Sequence, residues 1–399
     1  MIKHSRFLPD VVYSTIAYAI PSITLLLIIQ PEIAKIDPDG YGFLLTTLNV
    51  IRFLVSTIFL SLTNLRLIKE LEYRQMRCEG DFNILMILGG GISIVITSCV
   101  VIGYLKTVMW SEICLDILVL LLIAAHDYYS VFYRIHLRYK MIIMDNFIIT
   151  IGYFIGLMLY LYLGVWQIVF ISGYIGGCVF VACTTDIWKE KFRKTESFNP
   201  TTKAYTKLIV SNLFSSAIQY GDRMVIYPIL GGHNVSVYNT AGVVSKVLML
   251  VTSPLNNVIL SYLGKRRTIA VYKKQFKLGI IFILAGGILF YGIGYIVTIF
   301  FAQLLYPQWS SEANQYIPIV LATIILQSMG SILNTFLLRF ASLNVQIMLT
   351  VVRGITYFFL SIILMLKIAL WGICIGNFVA TVIYLLLVVK MLCKNIKDI

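Results

Sequence analysis

Charged residues are scarce in this chain, since only 13% of its 399 residues are Asp, Glu, Lys or Arg. Cysteine is sparse as well: there are seven, and none belongs to a CxxC pair or lies near a histidine cluster. The sequence also lacks the Walker A, HExxH and GxSxG motifs. These absences argue against a disulfide scaffold, a metal site, an ATP-driven pump and a hydrolase. We therefore predict no cofactor and no enzymatic activity.

Long apolar runs are what the sequence contains instead. Hydrophobic residues make up 59% of the chain, and its mean hydropathy is +0.88. The composition predicts an all-α polytopic membrane protein with twelve transmembrane helices in two six-helix bundles. Runs long enough to cross a hydrocarbon core of roughly 30 Å recur at residues 11–30, 41–64, 82–104, 108–126, 142–163, 165–185, 208–230, 238–262, 278–303, 316–338, 345–366 and 369–389.

The basic residues are distributed unevenly between the segments that join these runs. If the N-terminus is cytoplasmic, 25 of the 32 Lys and Arg residues fall in inner segments, three in outer loops and four within helices. Cytoplasmic loops carry an excess of Lys and Arg, so this count predicts that both termini are cytoplasmic. It also accounts for most of the net charge of +14 without a nucleic-acid partner. We interpret the basic loops as topology signals rather than as lipid-binding sites.

The largest basic segment, residues 186–207, follows the sixth run and contains the turn-forming pair Asn199-Pro200. We interpret it as a cytoplasmic linker between an N-terminal six-helix half, residues 1–185, and a C-terminal six-helix half, residues 208–399. Because both halves begin on the inner side, we expect parallel repeats related by an axis along the membrane normal.

Glycines recur at a four-residue spacing in the fifth and sixth runs. Gly152 and Gly156 form one such pair, and Gly173 and Gly177 form the other. Small residues at this spacing let helix backbones approach closely in membranes. The pattern predicts close helix contacts at these positions.

Four basic residues lie within the predicted spans: Arg52, Arg223, Lys246 and Arg353. A charged side chain at the bilayer centre costs roughly 3 kcal/mol on insertion scales, so such residues usually face a polar cavity and serve transport. Arg52 is roughly 16 Å of helix rise from the outer end of its run, near the midplane. Arg223 and Lys246 are expected in the outer half, whereas Arg353 is close enough to the inner end to reach the interface.

Polar residues share helix faces with these charges. Asn49 lies on the face of Arg52, and Asn239 begins a stripe that contains Lys246. A third stripe, stacked by a helix of 3.6 residues per turn, consists of Asn212, Ser216, Gln219 and Arg223. The stripes predict helices that line one water-accessible surface. The alternative is that these groups hydrogen-bond to one another and hold the helices together.

Acidic residues are few within the runs. Glu112 and Asp116 share a face of the fourth helix, and Asp222 lies in the seventh. These carboxylates are candidate coupling groups that pass protons or bind a cation; the alternative is that they neutralise the buried arginines. His126 and Asp127 are expected to form the solvated inner end of the fourth helix.

The excess of basic over acidic groups within the helices predicts a cavity with a cationic bias. Such a cavity suits an anionic substrate, most naturally a phosphate, which Arg binds through two hydrogen bonds and Lys as a point charge. The candidate substrate-binding residues are therefore Arg52, Arg223, Lys246, Arg353, Asn49, Gln219 and Asn239. The candidate coupling residues are Glu112, Asp116 and Asp222.

The seventh and eighth runs also resemble a known family. The sequence QYGDRMVI begins at Gln219, Leu230 is followed by Gly-Gly, and Val237 is followed by Tyr-Asn-Thr-Ala. With twelve helices in two halves and about 400 residues, the chain resembles the polysaccharide flippases related to the multidrug and toxin extrusion transporters. In that family an Asp-Arg pair in the seventh helix precedes a Leu-Gly turn and a Tyr; Asp222, Arg223 and Tyr238 match those places.

The resemblance implies a flippase of the bacterial cytoplasmic (inner) membrane. Its substrate would be an undecaprenyl-diphosphate-linked oligosaccharide repeat unit of O-antigen, and hence lipopolysaccharide, or of capsule. The implied partners are the lipid bilayer, the polysaccharide polymerase and its chain-length machinery. The mechanism would be alternating access between the halves, with the basic groups holding the diphosphate and charged sugars.

Two other functions fit a chain of this length and hydrophobicity. Membrane-embedded polysaccharide polymerases typically have a large outer loop that is rich in Arg. The outer loops of this chain are short and nearly free of Arg. A cation-coupled multidrug exporter shares the fold of the flippases, yet it favours acidic over basic groups in its cavity. Drug susceptibility of a deletion strain would separate the exporter from the flippase.

Overall fold

The computed structural model of the protein describes residues 7–76, 80–105, 110–244, 269–340 and 343–397. Within these ranges the chain folds almost entirely into helices joined by short connections. In chain order they are α1 (Phe7–Thr24), α2 (Gln30–Ile36), α3 (Pro38–Leu54), α4 (Leu60–Met76), α5 (Asp81–Leu105), α6 (Trp110–Tyr129), α7 (Val131–Ile135), α8 (Tyr139–Leu163), α9 (Gln167–Thr184), α10 (Phe198–Leu230), α11 (Gly232–Ala241), α12 (Ile269–Leu305), α13 (Pro307–Ala313), α14 (Ile317–Phe340), α15 (Leu343–Ile368) and α16 (Leu370–Lys397).

Ten stretches of the described chain are long and apolar enough to cross a membrane. They coincide with ten of the twelve predicted segments, and the predicted fold class, an all-α polytopic membrane protein, is confirmed. The seventh predicted segment, residues 208–230, is helical as part of α10 but is not among the ten. Most of the eighth, residues 238–262, lies outside the described residues.

The chain divides into two compact units. The first extends to Met224 and the second begins at Val225, so the division falls within α10. The first unit contains α1 to α9 and most of α10. Residues 186–207, the predicted linker, therefore fall within the first unit.

Helices α8 and α9 pack with their backbones in close contact. A methyl group added at Gly152 would lie 2.6 Å from the Cα atom of Gly173, and one at Gly156 would lie 2.5 Å from the Cα atom of Val169. No larger side chain fits at either position, so the close contact predicted from the glycine spacing is confirmed for this helix pair. The approach also brings tyrosine rings of the two helices together.

Two π-helical turns interrupt the helices around Arg52. One, Leu25–Ile29, follows α1, which contains Pro21; the other, Val55–Phe59, joins α3 to α4. A π-helical turn inserts an extra residue into the helix and is frequent at functional sites. Because the second turn begins three residues after Arg52, the side chains of α3 and α4 are rotated relative to one another at this point.

The segment between α9 and α10 is held against the adjoining ends of α4 and α5. Arg66 donates two hydrogen bonds to the carboxylate of Glu190, and Asn83 Nδ2 donates one of 2.9 Å to the Glu190 carbonyl oxygen. The fully buried Asp81 accepts hydrogen bonds from the backbone N–H of Thr195, at 2.8 Å, and from its hydroxyl. This segment is therefore part of the packed structure of the first unit.

The second unit has an apolar core between its last helices. Its centre consists of Leu333, Leu337, Leu349, Tyr384, Val388 and Leu392 of α14, α15 and α16. Elsewhere in this unit, His233 at the start of α11 pairs with Glu312 of α13 at 2.7 Å. The second unit thus combines an apolar packing core with an exposed polar contact.

Candidate functional site

The first unit contains a cavity of about 480 Å³ among α1, α3, α6, α7, α8 and α9. Cavities of this volume are large enough for a small molecule or part of a larger one. Only one of the polar groups lining it, Arg52, is among the candidate residues found from the sequence. The polar groups that matter most are Arg52, His126, Asp127, Arg134, Asp145 and Tyr174.

Arg52, in the last turn of α3, is held by Tyr174 of α9. Its Nη2 atom donates a hydrogen bond of 2.8 Å to the Tyr174 hydroxyl, and the guanidinium carbon lies 5.7 Å from the centre of the same ring. Within the described part of the chain, no carboxylate lies at ion-pairing distance from this guanidinium. A guanidinium has five N–H donors, so Arg52 retains charge and donors for a ligand in the cavity.

His126 is buried, which contradicts the expectation that it forms a solvated helix end: its exposed fraction is 6%. Its Nε2 atom lies 2.9 Å from Oδ2 of Asp145, and its Nδ1 atom lies 3.3 Å from Oδ1 of Asp127. The imidazole also contacts the edge of the Tyr174 ring, with 5.5 Å between ring centres. Polar contacts therefore run from Asp127 through His126 to Asp145, and Tyr174 joins this chain to Arg52.

Two atoms in the cavity lining are buried without a hydrogen-bond partner among the described residues. They are Oδ1 of Asp145, whose residue is 1% exposed, and Nε of Arg134. A buried polar atom left unpaired costs about 1–3 kcal/mol. Asp145 offers an acceptor and Arg134 a donor, so the cavity is suited to a polar molecule or to water that supplies both.

The charges on the cavity lining are mixed in sign. Two guanidinium groups, Arg52 and Arg134, face the same space as two carboxylates, Asp127 and Asp145. The cationic bias predicted from the helix residues is not found in this lining. The difference arises because Asp127 was expected at a solvated helix end, and Asp145 was not counted among the acidic residues within the runs.

Helix α10 is joined to α3, α4 and the π-helical turn between them by a row of polar side chains, which we call the polar ladder. Its three hydrogen bonds connect Arg223 with Asn49 at 2.9 Å, Ser216 with Ser56 at 3.0 Å and Asn212 with Ser61 at 2.8 Å. Three members of the predicted stripe on α10 therefore contact a neighbouring helix. The fourth, Gln219, is exposed.

The Asp-Arg pair of α10 is oriented by local and cross-helix bonds. Arg223 is 9% exposed, and its Nη1 atom donates to Oδ1 of Asn49. Oδ1 of Asp222 accepts a hydrogen bond of 2.9 Å from the backbone N–H of Arg223. Asp222 therefore accepts a hydrogen bond from the backbone of Arg223, whereas the Arg223 guanidinium binds Asn49 of α3.

Asp116 lies deep in the protein but does not line the cavity. It is fully buried in α6, where its Oδ1 atom accepts a hydrogen bond of 3.1 Å from Gln167 of α9. Its Oδ2 atom has no partner among the described residues. Ten residues, or about 15 Å of helix rise, separate it from His126. Glu112, one turn earlier, is half-buried.

Two further predicted residues, Arg353 and Asn239, belong to the second unit. In the second unit, Arg353 of α15 places its guanidinium carbon 5.0 Å from the centre of the Tyr384 ring. Asn239 of α11, also in the second unit, is buried with 1% exposed. Lys246 lies outside the described residues.

Three residues of the cavity lining, Asp145, Arg134 and Tyr174, were not predicted from the sequence. Asp145 was detectable, because Asp145-Asn146 is a polar pair inside the fifth apolar run. A charge in such a position signals a polar cavity. Arg134 belongs to a basic loop and was counted as a topology signal. Tyr174 had no distinguishing feature among 25 tyrosines.

Comparison with known proteins identifies the fold but no closer relative. No protein-family model and no curated protein matches the sequence. Among solved structures, an inward-facing multidrug resistance MATE family transporter of the MOP superfamily is 12% identical, with a TM-score of 0.66 over 96% of this chain and 99% of that one. The Vibrio cholerae MATE transporter VcmN, in its bent form, is 12% identical, with a TM-score of 0.59 over 99% and 97%.

A flippase has the same architecture. The lipid II flippase MurJ, in an inward closed conformation, is 14% identical, with a TM-score of 0.58 over 96% of this chain and 83% of that one. This protein therefore has the fold that MATE transporters share with MurJ.

Proposed function

We propose that this protein is a flippase of the bacterial cytoplasmic membrane. It moves undecaprenyl-diphosphate-linked oligosaccharide repeat units, precursors of O-antigen or capsular polysaccharide, from the inner to the outer leaflet. The observation that carries the proposal is the cavity of the first unit, in which Arg52 has no carboxylate partner among the described residues. The fold shared with a lipid II flippase supports it.

The chemistry of the lining suits a phosphorylated sugar. Arg52 presents a planar guanidinium, which binds phosphate through two parallel hydrogen bonds. A sugar hydroxyl both donates and accepts, so it pairs with Oδ1 of Asp145 and with Nε of Arg134. Mixed charges around the cavity thus favour a polar saccharide with a localised anionic group over a uniformly anionic molecule.

The size of the cavity limits what enters it. Its volume of about 480 Å³ is at the scale of a small-molecule site and accommodates only part of a lipid-linked oligosaccharide. The polar head would occupy the protein while the polyprenyl tail stays in the bilayer. Alternating access would then expose the head group first to one side of the membrane and then to the other.

A cation-coupled multidrug exporter is the second candidate function. The observation that favours it is the pair of carboxylates, Asp127 and Asp145, on either side of His126. Carboxylates in a cavity bind protons or cationic compounds, and multidrug MATE transporters share this fold. The mixed lining therefore makes drug susceptibility an essential measurement.

The test compares lipid-linked sugars in a deletion strain complemented with variants. Arg52→Gln removes the positive charge of the guanidinium; we expect export to fall at least tenfold and a complete single repeat unit to accumulate on the cytoplasmic face. Arg52→Lys keeps the charge but loses the bidentate geometry, so an intermediate loss is expected. Arg74→Gln is the matched control, because Arg74 is exposed, pairs with Glu70 and does not line the cavity.

Normal export by Arg52→Gln at normal protein levels would overturn the assignment of Arg52. Single units that accumulate on the outer face of the deletion strain would instead indicate a polymerase. A deletion that raises drug susceptibility while leaving the lipid-linked sugars unchanged would establish the exporter.

A further inference from the structure

The segment between α9 and α10 combines four basic and two aromatic residues with one acid in the sequence WKEKFRK, residues 188–194. We infer that these residues, here called the interfacial segment, form a binding surface for anionic phospholipid head groups on the leaflet that they face. By the predicted orientation this is the cytoplasmic leaflet. The inference is independent of the proposed flippase function.

The depth of the interfacial segment is fixed by two spans. The apolar span of α9 ends at Thr184, four residues before Trp188. At its other end, the backbone N–H of Thr195 is bonded to Asp81, the first residue of the α5 span. Both attachments place the segment at the boundary between hydrocarbon and water, where head groups lie.

The backbone of the segment is fastened to neighbouring helices by several contacts. Besides the bonds to Arg66 and Asn83, the chain passes directly over Gly80, where a methyl group would overlap the carbonyl oxygen of Lys191. Gly80 has a φ of 105°, which favours glycine for a second reason. A loop that served only as a topology signal would need positive charges but not this fixed backbone.

Two large aromatic side chains are exposed on the segment. The exposed fraction is 62% for Phe192 and 46% for Trp188. The Trp188 indole N–H donates to the carbonyl oxygens of Ala182 and Thr185, at 2.9 and 3.0 Å, so its ring orientation is set. Aromatic rings with one polar attachment are enriched at the membrane interface, where their apolar faces contact lipid.

The exposed face of the segment is cationic because its one acid points inward. Glu190 is turned onto Arg66, where its charge is neutralised. Lys191 and Arg193 are exposed, and neither has an acidic partner in the described part of the chain. Lys189, paired with the exposed Asp186, and Lys194, over the Phe198 ring, lie beside them. Juxtamembrane cationic side chains of this kind attract anionic lipid.

The test uses the full-length protein in neutral phosphatidylcholine nanodiscs with Phe192→Trp as a reporter. We expect brominated phosphatidylglycerol to quench the added tryptophan fluorescence at least twice as strongly as brominated phosphatidylcholine at equal mole fraction. The double variant K191Q/R193Q should abolish this preference. The matched control K203Q/K207Q removes the same amount of charge from exposed positions of α10, and we expect it to retain the preference for phosphatidylglycerol.

Equal quenching by the two lipids, or equal loss in the two double variants, would overturn the inference. Soluble glycerol phosphate is included at millimolar concentration. If it displaced the lipid effect, the segment would be a site for free anions and not for the membrane surface. All substituted side chains are exposed, and size-exclusion chromatography verifies that each variant is folded.

Discussion

The Nη1 atom of Arg223 donates a hydrogen bond of 2.9 Å to Oδ1 of Asn49, a residue 174 positions earlier in the chain. Both side chains are at least nine-tenths buried. The bond is one end of the polar ladder, which attaches the middle and later part of α10 to α3, α4 and the π-helical turn between them. Its donor is charged, whereas the other two bonds of the ladder, Ser216 to Ser56 and Asn212 to Ser61, join neutral side chains.

Removing the acceptor in this bond should cost more than removing a neutral ladder contact. We expect Asn49→Ala to lower the free energy of unfolding by about 2 kcal/mol, since hydrogen bonds to charged groups are the stronger kind. Ser216→Ala is the control, and neutral side-chain bonds between membrane helices average about 0.6 kcal/mol. Steric trapping in bicelles measures both values. Equal losses would show that the charge of Arg223 adds nothing.

The hydroxyl of Tyr174 should matter less to transport than the charge it positions. Tyr174→Phe removes the hydrogen bond to Arg52 but keeps the ring beneath the guanidinium. Under the proposed flippase function, we expect polysaccharide export to fall about threefold, which corresponds to roughly 0.6 kcal/mol. Tyr162→Phe serves as the control because Tyr162 is 88% exposed. A loss equal to that of Arg52→Gln would assign Tyr174 a direct role.

The buried contact between His126 and Asp145 should show strong coupling. His126→Ala leaves the Asp145 carboxylate buried without its partner, and breaking such a pair costs about 3–5 kcal/mol. The double variant H126A/D145N should recover part of this loss because the unpaired charge is also removed. His136→Ala, at an exposed position, should change stability by less than about 0.5 kcal/mol. A double variant no more stable than H126A would contradict the pairing.

The contact between α8 and α9 should distinguish two glycines. Gly156→Ala forces a methyl group against the Val169 backbone, and we expect a loss of about 1–3 kcal/mol. Gly91→Ala in α5 meets no atom within 4 Å, so the higher helix propensity of Ala should stabilise the protein by about 0.5–1 kcal/mol. Thermal unfolding in detergent compares the two. A stabilising effect at Gly156 would show that the helices separate easily.

The apolar runs predicted the helices well because the bilayer imposes a minimum length on each span. The same runs allowed the close contact at Gly152 and Gly156 to be predicted, since glycine spacing has a direct steric meaning. Helix α10 is the informative exception. The polar residues of the ladder lower the hydropathy of α10, so this helix is not one of the ten apolar spans.

Site geometry was harder to predict because the partners are distant in sequence. Asn212 bonds to Ser61, 151 residues away, and nothing about a serine in an apolar run identifies its partner. The contact between His126 and Asp145 joins α6 to α8. The short helix α7, which lies between these two helices in the chain, was not predicted. Arg52 was found because its depth in the membrane is readable from position alone. Residues near helix ends carry no such signal.

The attachment between the α4 and α5 ends and the segment before α10 has a consequence for biogenesis. Arg66 and Asp81 are synthesised 124 and 114 residues before their partners, Glu190 and Thr195. At translation rates of 5–20 residues per second this is a delay on the order of ten seconds. During that interval Arg66 and Asp81 lack the partners that they have in the folded protein, so α4 and α5 are without these contacts. These contacts can form only once residues 190–195 have left the ribosome, and the remainder of the first unit, up to Met224, follows them.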